Sequence, residues 1–72
     1  NSIENDYFVY PNPFSDFLNI ENINDFYITN AIGQKIYSSN NISQLDTKEW
    51  KEGLYILHSP NLNNSIKIVK MR

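Results

Sequence analysis

His58 is the only imidazole in this 72-residue chain, and the hydroxyl of Ser59 follows it directly. No other pair comes nearer to a base beside a nucleophile. Successive side chains of a strand point to opposite faces, however, so an extended run through this point holds the two groups apart. General acid–base chemistry would instead need paired carboxylates, and the candidates are Asp16, Asp25 and Asp46, each in a polar, turn-like stretch. Nothing in their spacing groups them, and solvated turns account for them. With no cysteine there is no thiol nucleophile, disulfide or zinc thiolate. A glycine-rich phosphate loop and a calcium loop of the DxDxDG type are also missing. The residue types weigh against an enzyme and imply no metal and no cofactor.

Trp50, five tyrosines and four phenylalanines are many for a chain this short. A domain of such a size buries only about 60% of its unfolded surface. With no disulfide or metal to staple it, aromatic side chains must supply much of the core. Tyrosines in excess of that core, among Tyr7, Tyr10, Tyr27 and Tyr37, could stack on sugars, so a carbohydrate-binding or adhesive module stays open as an alternative. The net charge of −2 gives no support to a nucleic-acid or anionic-membrane partner. Its distribution is polarised: five acids and no Lys or Arg lie in residues 1–34, while Lys67, Lys70 and Arg72 follow Gly53 without an acid. No apolar run approaches the roughly 20 residues of a membrane helix. Asn1–Asp6 lacks the basic and apolar regions of a signal peptide.

The elements that must position these groups are strands. Asn1–Asp6 reads as a linker end, and Tyr7–Tyr10 as a first strand stopped by Pro11-Asn12-Pro13, a stiff extended corner. Phe17–Ile20 alternates, with Leu18 and Ile20 on the core face, and Phe26–Thr29 repeats the pattern with Phe26 and Ile28 inward. Gly33 supplies the positive φ of a bulged hairpin returning through Lys35–Ser38. Ser43–Leu45 is a short strand at best. Asp46-Thr47-Lys48-Glu49 fits an N-capping pattern, which predicts one helical turn that swings Trp50 onto the sheet before Gly53. Leu54–Ser59 and Ser65–Lys70 complete the set, with Ile66 and Ile68 inward and Lys67 outward. About seven short strands between Asn-, Pro- and Gly-rich turns predict an all-β, small antiparallel Ig-like β-sandwich.

Three stretches, in order, resemble the type A C-terminal sorting domain of the Bacteroidetes type IX (Por) secretion system. Val9-Tyr10-Pro11-Asn12-Pro13, followed by Leu18 and Ile20, is similar to the family's opening "YPNP" and next strand. Phe26 to Ile36 resembles its middle hairpin, with Asn30 where Asp is frequent and Gln34 before the lysine. Gly53-Leu54-Tyr55 resembles its "GxY" strand, and Lys67 to Arg72 its basic β-rich tail. The likeness covers Tyr7 to Arg72, which makes 7–72 the sorting domain.

The resemblance implies a non-catalytic signal that directs an attached N-terminal cargo from the periplasm across the outer membrane, to the cell surface or the medium. Its implied partners are the type IX translocon, an outer-membrane shuttle protein and a sortase-like cysteine peptidase that cuts before Tyr7 or further upstream. Pro11, Pro13, Gly33, Gly53 and Tyr55 are the motif positions expected to keep its shape, and Asn12 belongs to the same sorting motif. The edge of the last strand is expected to be read by a partner, with Lys67 and Lys70 supplying charge.

Overall fold

The computed structural model describes residues 8–40, 42–60 and 62–71. Tyr7, the linker stretch Asn1–Asp6 and Arg72 lie outside the described residues. Seven strands follow one another: β1 (Phe8–Tyr10), β2 (Phe17–Glu21), β3 (Phe26–Asn30), β4 (Lys35–Ser39), β5 (Gln44–Asp46), β6 (Gly53–His58) and β7 (Ile66–Lys70). They form a three-stranded sheet in the order β1-β2-β5 and a four-stranded sheet in the order β4-β3-β6-β7. Every strand pairing in both is antiparallel. The expected all-β sandwich is therefore present.

Alternation explains the core. Leu18, Ile20 and Leu45 from the small sheet meet Phe26, Ile28, Tyr55, Leu57 and Ile68 from the large one, all buried, with Phe14 and Ile23 closing the ends. A one-residue slip in any of these strands would turn its apolar set to solvent, so the pattern fixes register as well as face. Thr47 is the fully buried polar residue; its hydroxyl donates to the Ser15 carbonyl at 2.8 Å.

Two turns need glycine. Gly33 has φ +91°, in the β3–β4 hairpin, where the register shifts between Ile28 and Thr29 as a bulge requires. Asn30 organises that turn: its Oδ1 accepts from the amides of Ile32 at 3.1 Å and Gln34 at 2.9 Å. An aspartate would accept both bonds equally, which is why Asn serves where the family pattern often has Asp. Gly53 opens β6 with φ +142°, a conformation L side chains rarely adopt.

The predicted helical turn does not form. Asp46 is the last residue of β5, paired with Phe17 in the ladder. Its Oδ1 accepts from the Lys48 amide at 3.0 Å, and the Trp50 amide donates to the Thr47 carbonyl at 3.1 Å. The result is a β-turn. Thr47 is held by backbone as well as side chain, its amide donating to the Asp16 carbonyl at 3.0 Å. The purpose inferred for that turn survives the change, because Trp50 still folds onto Phe14, with ring centroids 5.9 Å apart, and onto Tyr55, at 4.9 Å.

Candidate functional site

The expected site lay on the outer edge of β7, and the structure closes that edge. After β1 the chain passes through Pro11 and Pro13, both preceded by cis peptide bonds, and runs beside β7. Asn12 lies against it in a two-point contact: its Nδ2 donates to the Lys67 carbonyl at 3.2 Å, and its Oδ1 accepts from the Val69 amide at 3.1 Å. Phe14 continues as a parallel bridge opposite Lys70. Its amide donates to the Val69 carbonyl at 2.9 Å, and its carbonyl accepts from the Met71 amide at 2.7 Å. An edge strand normally leaves such groups exposed as a template for another chain. Here Asn12-Pro13-Phe14 acts as a strap, with one side chain and one residue of backbone standing in for an added strand.

The two lysines of this strand separate. Lys67 points outward and is exposed, as expected. Lys70 does not supply charge to the surface: it follows Ile66 and Ile68 on the inward face and is only 5% exposed. Its Nζ donates to the Ser15 carbonyl and stands 6.0 Å from the centre of the Phe14 ring. A buried ammonium is tolerated only with such partners. The inward period of the strand, which had been followed through Ile66 and Ile68, continues one step further than the polar character of lysine suggests.

The remaining motif positions are structural in their contacts. Tyr55 is buried and its hydroxyl donates to the Lys51 carbonyl at 2.7 Å, tying the end of the Trp50 turn to β6. The Gly53-Leu54-Tyr55 triplet therefore places a positive φ, an outward side chain and an inward ring in succession. Phe14, Ser15 and Thr47 complete the strap; the sequence pattern does not single out Phe14 or Ser15, and it places Thr47 in a capping motif instead. A phenylalanine directly after the Pro-Asn-Pro run was the available signal.

The groups that first suggested chemistry are occupied by packing. His58 stacks on Tyr27, with centroids 4.7 Å apart and planes 12° from parallel, and its Nε2 lies 3.1 Å from the Thr29 hydroxyl. Ser59 donates to the Asp25 carbonyl at 2.5 Å. Lys35 stands over the other polar ring of this face, Tyr27, at 5.1 Å. Tyr10 is exposed on the opposite sheet, and its hydroxyl donates to Glu21 at 2.5 Å. That bond to a carboxylate, then partial burial and the carboxylate's charge, raise the phenol above its ordinary value of 10.0. Among the described residues the tyrosines are thus distributed over both faces and the core and do not form a single platform. Among the described residues no three His, Cys, Asp or Glu side chains gather, and no helix is long and apolar enough to cross a membrane.

The fold defines the class as a small all-β sandwich of two antiparallel sheets. Within that class, a family model described as the secretion system C-terminal sorting domain matches residues 8–71. The chain belongs to this family, the sorting domain of type IX secretion. No curated protein and no solved structure matches the chain. The family role is that of a sorting signal, generally non-catalytic, for export by the type IX system to the cell surface or beyond.

Proposed function

We propose that the folded domain carries an attached N-terminal cargo from the periplasm across the outer membrane. It engages the type IX translocon and an outer-membrane shuttle protein, and a sortase-like cysteine peptidase then removes it, leaving the cargo anchored or free. The family match over residues 8–71 carries this reading. The strand order of the two sheets also supports describing the sandwich as Ig-like.

In this reading Pro11, Asn12, Pro13, Gly33, Gly53 and Tyr55 act by holding the shape that is read. Asn12 and Pro13 hold the strap, Gly33 and Gly53 the two turns, and Tyr55 the floor beneath Trp50. Lys67 is the lysine of β7 whose charge is available to a partner. Lys70 contributes by anchoring the strap through Ser15. The test is a fusion of residues 1–72 behind an exported reporter in a type IX-competent cell. Surface or extracellular reporter is expected; an intact, folded fusion that stays in the periplasm would refute the proposal. A glycan array on the isolated domain addresses the carbohydrate alternative, for which the scattered tyrosines among the described residues give no support.

A further inference from the structure

The strand pairings sort the outward side chains of the sandwich into two faces of opposite character. On the four-stranded sheet, Tyr27 pairs with His58, Leu54 with Val69, and Ile56 with Lys67. Lys35 lies opposite Thr29. Tyr27, Leu54 and Val69 are 38–40% exposed, and the charges among these outward strand positions are Lys35 and Lys67, with no acid. On the three-stranded sheet, Phe8 pairs with Glu21, Tyr10 with Asn19, and Phe17 with Asp46. Phe8, Tyr10 and Phe17 are 42–55% exposed, and the charges there are Glu21 and Asp46, with no base. Each face thus carries exposed apolar and aromatic side chains together with charge of one sign, and the two signs are opposite.

We propose that these faces are an interaction surface for a second copy of this chain, the basic face of one molecule seating on the acidic face of the next. Sheet faces stack about 10 Å apart when their side chains interdigitate. Here aliphatic Leu54 and Val69 would meet aromatic Phe8 and Phe17, while Lys35 and Lys67 approach Glu21 and Asp46. Because the faces lie on opposite sides of the sandwich, the contact is head-to-tail. Such a contact cannot close as a two-fold dimer, so association continues past the dimer. The smaller face spans only three short strands, which keeps the contact below the roughly 1,200 Å² of a standard interface. The association is weak and matters where the domain is concentrated. It is independent of the sorting role: either can fail while the other stands.

Sedimentation of the purified chain from about 10 μM to about 1 mM, an affinity range typical of contacts below standard size, tests the proposal. The expected result is a weight-average mass that climbs steadily with concentration. Raising the ionic strength from about 0.01 M to 1 M shortens the screening length from about 30 Å to 3 Å and should weaken association by about tenfold or more. Lys67→Glu cancels the net charge of the basic face, and Glu21→Lys cancels that of the acidic face, so each variant alone should remain monomeric. Mixing the two should restore association, since each then supplies the complement the other lacks. Val69→Thr and Phe17→Thr keep β propensity and should also abolish assembly, which covers the case of a charge variant that fails to fold. A native chain that stays monomeric throughout, a dimer that saturates, or assembly indifferent to salt and to these variants would overturn the proposal.

Discussion

Asn12→Ala is the sharpest probe of the strap, because it deletes two hydrogen bonds to β7 without touching the core. Asn12 is exposed, and the bonds it makes to the Lys67 carbonyl at 3.2 Å and from the Val69 amide at 3.1 Å can be replaced in part by water. A net value of about 0.5–1.5 kcal/mol per bond, taken near its lower end for solvent-accessible groups, gives a loss of about 1–2 kcal/mol. At roughly 0.05–0.15 kcal/mol per residue, a domain of this length has about 4–11 kcal/mol in all, so the loss is a sizeable fraction. Urea unfolding followed by Trp50 fluorescence reports it, since this indole packs on Phe14 and Tyr55 and is released with them. Hydrogen exchange adds a local reading. The Val69 amide should lose protection first, and the Met71 amide, bonded to the Phe14 carbonyl at 2.7 Å, should follow if the strap peels as a unit. Asn12→Asp sharpens the test: the ionised side chain keeps an acceptor for Val69 but sets a carboxylate against the Lys67 carbonyl. Its destabilisation should be largest at neutral pH and shrink as acid restores a donor. A midpoint unchanged within about 0.3 kcal/mol, with Val69 still protected, would refute the strap as a stabilising element.

The two lysines of β7 should behave differently in the same urea experiment. Lys70→Ala removes a buried stem and its bond to Ser15 and should cost about 2 kcal/mol or more, whereas Lys67→Ala should stay within about 0.5 kcal/mol; equal effects would contradict the placement of Lys70. Gly53→Ala should cost about 1–3 kcal/mol through its backbone alone, because nothing lies near the added methyl and only the φ of +142° opposes it; a thermal melt that does not move would count against that conformation. Tyr10 should ionise above pH 10.0 by ultraviolet titration, and Glu21→Gln should bring it down. The sign follows from a proton held more tightly in the folded chain. This contribution is fully present below the ordinary tyrosine value and fades as pH rises through the elevated one.

Local rules already carried most of the fold. Period-two alternation assigned Leu18, Ile20, Phe26, Ile28 and Ile68 to the core, and all are buried. Turn chemistry located the positive φ of Gly33, whereas Gly53 takes its positive φ at the start of β6 and not after a helical turn. The misreading at Asp46–Glu49 has a clear cause: a capping pattern is local, and it lost to the ladder pairing of Asp46 with Phe17 and to the anchoring of Thr47 by Ser15 and Asp16, partners about thirty residues away.

Proline and glycine were legible as turn and corner positions because they act through backbone conformation, which neighbouring residues determine. What the sequence could not give was which edge is open. Edges are defined by strand order, and strand order depends on packing between distant segments. Only the tertiary structure returns Asn12 to Lys67 and Val69, far along the chain, and so covers the strand expected to be free. The same applies to Lys70. Its side chain alone suggests solvent, but the inward phase of β7 and the carbonyl of Ser15 place it inside. Charge sorting between the two faces is likewise a property of pairing, since residues far apart in sequence share a face only once the sheets have formed.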